Sequence, residues 1–239
     1  MKKIDNSKAM KIIIFTAVIA IMAVMTVYLA PLIKNISTTE GQLEFKQRID
    51  DAGPLGILVL FALQVAQIFL VIIPGEPIEL LAGMCYGTIG GTVFLLASVF
   101  IITAIIEFVI GKYGRRFVYS IFKKEKIEKI ENNKILKDPK KVEMIMIILF
   151  LIPGTPKDLL VYIGALLPIK PMRFILISTF ARFPSIISST IAGANLVNGN
   201  YGASIIAYVA SFIFTAVVMI LINIFDKNND TKETLKSLK

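Results

Sequence analysis

The sequence predicts an all-α, polytopic integral membrane protein organised around two inverted re-entrant helical hairpins. Three observations predict it. Of the 239 residues, 56% are hydrophobic and the mean hydropathy is +0.75, more apolar surface than a soluble domain can hide. One short phrase occurs twice, as Ile73-Pro74-Gly75-Glu76-Pro77-Ile78-Glu79-Leu80-Leu81 and as Ile152-Pro153-Gly154-Thr155-Pro156-Lys157-Asp158-Leu159-Leu160, each inside an apolar run. Between the two copies lies the most basic stretch of the chain, residues 112–141, with eleven Lys/Arg against four acids, a local charge of +7.

Taken in order, residues 1–40 hold an N-terminal transmembrane helix and its flanks. Lys2, Lys3, Lys8 and Lys11 precede an apolar run over 12–33, which is too long for a signal peptide and has no small-x-small cleavage site after it. Residues 34–53 read as a polar, slightly acidic connection. The membrane domain spans 41–225. Within it the expected parts are a re-entrant segment over 54–86, a crossing helix over 89–111, the basic cytoplasmic loop 112–141, a second re-entrant segment over 142–168, and crossing helices over 174–192 and 203–225. Residues 226–239 form a polar cytoplasmic tail. Gly83, Gly87 and Gly91, spaced by four, read as a row that lets helices approach closely. Residues 193–202 read as an uncharged Gly/Asn loop.

Charge decides how the motifs meet the bilayer. If every apolar run crossed, the +7 segment would lie outside, against the positive-inside rule. Letting 54–86 turn at the first motif and leave on its side of entry puts 112–141 in the cytoplasm. The run 142–152 is too short to span, because eleven helical residues cover about 16 Å of a core about 30 Å thick. The run 54–73 is long enough to span, so re-entry there requires a strongly tilted arm. Both termini then face the cytoplasm of a multi-pass protein expected in the plasma membrane. Two opposed units of broken helix plus crossing helix are a transporter architecture.

In this arrangement Pro74, Gly75, Pro77 and Gly83 shape the first hairpin, and Pro153, Gly154, Pro156 and Gly164 the second. Glu76, Glu79, Lys157, Asp158 and Arg182 are carried toward the membrane interior, where ionisable groups mark substrate or ion pathways. Helix starts near Pro77 and Pro156 attract anions, and Lys157 and Arg182 supply full charges for a phosphate. The competing reading has these groups pair with one another and pin the hairpins. With no His and a single cysteine, Cys85, His-based catalysis, an intramolecular disulfide and the usual Cys/His zinc sites are excluded. No metal or cofactor is expected. The charge of +9 sits between apolar runs, so anionic lipid headgroups are the expected partner rather than nucleic acid. Self-association as a homo-oligomer stays open.

These residues resemble the DedA-like superfamily, also called the SNARE-associated Golgi protein or VTT-domain family, over roughly 50–225. The second motif, continued by Val161-Tyr162 and followed by Ala181-Arg182-Phe183-Pro184-Ser185, is the most specific part and looks like the bacterial branch closest to the Golgi members. The resemblance implies opposed re-entrant hairpins and movement of lipids or lipid-linked phosphates across the bilayer. It gives Glu76, with Gly83 seven residues on, the part of the first hairpin's essential acid. DedA proper carries another acid twelve residues before that one, where this chain has Gln64. Its two second-hairpin arginines align, through Gly164, with Phe150 and Pro156; Lys157 and Arg182 are the cations available instead.

The function expected is therefore a transporter or scramblase of phosphate-bearing lipids, of the undecaprenyl-phosphate or phospholipid class, and not an enzyme. The alternative is a non-catalytic membrane organiser that uses the basic 112–141 segment as its contact surface.

Overall fold

A computed structural model describes residues 38–70, 75–113, 138–152 and 155–225. The expected N-terminal helix, most of the basic segment, the polar tail, and Pro74, Pro153 and Gly154 lie outside those residues. Every regular element among the described residues is an α-helix. The chain divides into two compact units, Met1–Pro77 and Ile78–Lys239.

In the first unit, the stretch expected to be a polar connection is a helix, α1 (Thr39–Asp51). Thr38 caps it by accepting the Gly41 N–H at 3.2 Å. Its polar composition hides a narrow apolar stripe, Phe45 and Ile49, both buried. On its exposed face Arg48 pairs with Glu44 at 2.7 Å and Lys46 with Asp50, each four residues apart. The helix ends at Gly53, whose φ of +54° is the left-handed conformation that closes helices. Pro54 then opens α2 (Pro54–Leu70). The two helices approach closely at Gly56, where a β-carbon would sit 2.6 Å from the Ile49 carbonyl oxygen.

The second unit begins just inside α3 (Glu76–Tyr113), and α3 is not one rod. Gly87 has φ +69° and ψ −179°, outside helical space. A β-carbon on Gly91 would lie 2.7 Å from the Ala82 carbonyl oxygen, although nine residues of straight helix would separate the two by about 13 Å. The Tyr86 and Phe94 ring centroids are 5.6 Å apart. The chain therefore doubles back at Gly87, and residues 76–86 lie against the start of 88–113. The spaced glycines do allow close approach at Gly83 and Gly91, but Gly87 is the hinge between their arms rather than a third member of one face. This fold-back separates the segment expected to end at 86 from the helix expected to begin at 89.

Five further helices follow among the described residues. Helix α4 (Pro139–Leu151) starts at an N-cap, Asp138, which accepts the Lys140 N–H at 3.0 Å. Helix α5 (Lys157–Gly164) follows the second break. The run expected to cross over 174–192 is two helices, α6 (Pro171–Phe180) and α7 (Phe183–Val197), joined at Ala181–Arg182. Pro184 cannot donate a backbone hydrogen bond, so the helix cannot run straight through. Helix α7 continues through the first half of the expected Gly/Asn loop and the next helix takes its last two residues, so the loop shrinks to a turn at Asn198–Asn200, with Gly199 at φ +68°. Helix α8 (Tyr201–Phe225) follows.

Helices α7 and α8 pack along their length and exchange hydrogen bonds, from Ser204 Oγ to the Ala192 carbonyl at 3.0 Å and from Ser211 Oγ to the Pro184 carbonyl at 2.9 Å. Such bonds, with small residues between, hold helices together where lipid offers no hydrophobic drive. Gly193 and Gly83 bring the first arm of α3 onto α7; β-carbons there would lie 2.1 Å from the Leu80 oxygen and 2.3 Å from the Thr190 oxygen. Thr92 and Thr190 hydroxyls meet at 2.7 Å in the same contact. The outward side of α8 exposes Ile205, Ile206, Val209, Phe212, Ile213 and Val217. In water that would be an aggregation surface; in a bilayer it faces acyl chains. Among the described residues, three stretches are long and apolar enough to cross: Glu76–Gly111, which the fold at Gly87 divides, Pro171–Val197, and Tyr201–Val218.

Candidate functional site

The second break places polar side chains in an otherwise apolar setting. Helix α4 ends at Leu151, and its last carbonyls lack helical partners. Thr155 supplies them, donating its hydroxyl to the Leu149 carbonyl at 2.7 Å and the Ile152 carbonyl at 2.9 Å. This local closure sets where α5 begins, with Lys157 and Asp158 in its first turn. The carboxylate suits the positive end of the helix dipole.

Both side chains reach the α6–α7 corner. Arg182 Nη1 donates to Asp158 Oδ1 at 2.9 Å, with the arginine side chain 5% exposed and the aspartate 16%. Lys157 Nζ donates to Ser185 Oγ, and Ser185 Oγ donates to the Arg182 carbonyl at 3.2 Å. Two polar links thus tie the start of α5 to one turn of α7. The Arg182 Nε and Nη2 atoms are buried and have no hydrogen-bond partner. By contrast, Arg173 pairs with Glu143 at 3.2 Å with the arginine side chain 61% exposed, a surface arrangement.

Apolar groups fix the guanidinium. Its Cζ lies 5.1 Å from the centroid of the Phe150 ring, and Phe150 itself meets Phe174 with centroids 6.2 Å apart. Phe150 is one of the positions at which the resemblance expects an arginine. Here the ring occupies it, and Arg182 brings a guanidinium to that ring from the next helix pair. Gly164 leaves room for Phe174, since a β-carbon would lie 2.2 Å from that ring. Tyr162, four residues after Asp158, is fully buried.

Of the residues singled out from sequence, the structure brings Lys157, Asp158 and Arg182 together. Glu79 is half-buried on the first arm of α3. Glu76 is exposed at the start of α3 and belongs to the first compact unit. Near the first break Gly75 stands 3.5 Å from the Gln67 amide, and Gln64 donates weakly to Gln67 at 3.5 Å, both glutamines being buried. Pro77 lies in the first turn of α3 and Pro156 just ahead of α5, as helix-starting prolines should. Ser185, Phe150 and Thr155 were not among the expected site residues. Ser185 lies three positions after Arg182, one helical turn away, which was the available signal.

The VTT domain family matches residues 73–195, more than half of the chain and narrower than the 50–225 over which the resemblance was read. The chain belongs to the VTT-domain family, the DedA/SNARE-associated Golgi protein family, and is a membrane protein. No curated protein and no solved structure matched it.

Proposed function

We propose that this protein moves phosphate-bearing lipids across the bilayer, as a transporter or scramblase, without altering them chemically. One observation carries the reading: an arginine, a lysine and an aspartate meet at a helix break and a helix corner inside the membrane-spanning unit, with the arginine buried. Charge in lipid is expensive and is kept where it serves a path or a ligand. In this reading the two breaks re-enter from opposite sides, and the phosphate sits at the cationic corner while the acyl or prenyl chain stays in lipid. Both termini face the cytoplasm, the membrane is the plasma membrane, and anionic headgroups are the partners. The absence of histidine supports a role without phosphoryl transfer.

The test is reconstitution in proteoliposomes with a panel of phosphorylated lipids, with and without a pH gradient. Wild-type protein should move at least one of them, and Lys157→Gln, Arg182→Gln and Glu76→Gln should each abolish movement while the protein stays folded. Wild-type transport by all three variants would overturn the reading. A stable protein partner in pull-down, together with no lipid movement, would instead favour a membrane organiser.

A further inference from the structure

The Arg182 guanidinium is used on one side only. Nη1 is committed to Asp158 at 2.9 Å, while Nε and Nη2 are buried without an acceptor. Those two atoms are neighbours in a planar group. The Nε–H and one N–H of Nη2 point the same way and form a parallel two-donor edge. A buried donor with no acceptor is costly, and folded chains keep few of them. Two on the same cation call for a ligand.

The edge is also held in place. The guanidinium lies over the Phe150 ring, with Cζ 5.1 Å from its centroid. Asp158 fixes the far edge. The backbone at Arg182 is pinned, since its carbonyl accepts from the Ser185 and Ile186 N–H groups at 3.1 and 3.0 Å and from Ser185 Oγ at 3.2 Å. Lys157 reaches the same serine.

We infer that the Nε/Nη2 edge of Arg182 seats two non-bridging oxygens of a phosphate group. The inference rests on the lipid-transport reading and sharpens it by naming the contact. A parallel pair of donors matches two oxygens on one phosphorus; a hydroxyl or an amide would leave one donor unmet. Neutral lipids such as diacylglycerol or a prenyl alcohol are therefore not ligands. The aspartate stays on Nη1 while the phosphate is bound, so the ion pair need not open. Because both donors are shut away from water, the side chains covering that edge must give way for a phosphate to enter, while the Arg182–Asp158 pair is kept.

The test is ligand titration of the full-length protein in detergent, with nitrogen-labelled arginine observed by NMR. Three probes are compared: inorganic phosphate, dihexanoyl phosphatidic acid and dihexanoylglycerol. The Arg182 Nε–H signal, assigned by its loss in Arg182→Lys, should move downfield on saturation with phosphatidic acid and stay in place with dihexanoylglycerol. Arg182→Lys keeps the charge but loses the edge, so its affinity for phosphatidic acid should fall about tenfold or more. If inorganic phosphate binds as tightly as phosphatidic acid, the seat stands and its ligand is free phosphate. If it binds more weakly, the lipid headgroup is the source. An unmoved Nε–H at saturation, equal binding of dihexanoylglycerol, or undiminished binding by a folded Arg182→Lys would overturn the seat. Should Arg182→Lys not fold, the wild-type signal is assigned instead by its loss in the Asp158→Leu/Arg182→Met double variant, and its shift on titration decides the matter. Phosphate on the edge without flux in proteoliposomes would remove the transport reading and leave the seat; flux with an unmoved signal would do the reverse.

Discussion

The two copies of the proline-glycine phrase differ in the chemistry gathered around them. Around the first break the buried polar groups are neutral: Gln64 and Gln67 lie inside α2, and Gly75 stands 3.5 Å from the Gln67 amide. The acid that follows, Glu76, is exposed. Around the second break the buried group is a cation, with Asp158 on one side and two unmet donors on the other. A neutral amide can be replaced by a hydrocarbon at little cost, whereas a buried charge stripped of its mate cannot. The comparison teaches that two copies of one phrase can gather different groups around them, buried amides near the first and a buried guanidinium near the second.

The largest effect should come from splitting the ion pair. Asp158→Asn or Arg182→Gln leaves one uncompensated group and should cost about 3–5 kcal/mol, read as a lowered unfolding midpoint in detergent. The double variant Asp158→Leu with Arg182→Met should regain most of that loss, because an apolar pair of similar volume is often neutral. A double variant as unstable as the singles would show that the corner is held by something other than the pair.

Next come the close approaches between α3 and α7. Gly83→Val and Gly193→Val force side chains into backbone 2.3 and 2.1 Å away, and each should cost at least about 1–3 kcal/mol by the same measurement. Unchanged stability would mean that the first arm of α3 does not lie on α7. A smaller change tests the other half of the comparison. Gln64→Leu removes a buried carbonyl oxygen that has no partner, so stability should shift by no more than about 1 kcal/mol and lipid movement should persist. Strong loss of transport there would erase the contrast between the breaks. Arg48→Ala, which breaks an exposed pair on α1, should matter least, at about 0.5 kcal/mol or below.

Much of this architecture was legible because Pro and Gly act locally. Pro77 and Pro156 stand at helix starts as expected, and one helix ends before each motif copy's second proline while another begins at or just beside it, whereas Pro139 and Pro171 open helices three residues earlier than the apolar runs suggest. What escaped were features whose cause is tertiary. Gly87 falls in a spacing-of-four row that reads equally well as a packing face, and only the approach of Gly91 to Ala82 reveals a hinge. Helix α1 hides behind its acids and the bases Lys46 and Arg48 because its buried stripe is narrow. The corner at Arg182 looked like a polar interruption of one helix, whereas Pro184 makes it a junction of two. Lys157 and Asp158 were conspicuous as charges in an apolar run, but nothing in their spacing says that Arg182, twenty-four residues on, is the aspartate's mate. Phe150 stood out only as a position where the resemblance expects an arginine; nothing in the sequence says that a guanidinium from Arg182 lies over its ring.

The most direct measurement is lipid flux by the Asp158→Leu/Arg182→Met double variant, reconstituted beside the wild type with a fluorescent phosphate-bearing lipid. The double variant keeps the packing and loses the cation, so fold and chemistry are separated in one comparison. Flux should fall to the level of protein-free vesicles although the protein unfolds at nearly the wild-type midpoint. Flux at the wild-type rate from that folded corner, stripped of its arginine and aspartate, would contradict the account.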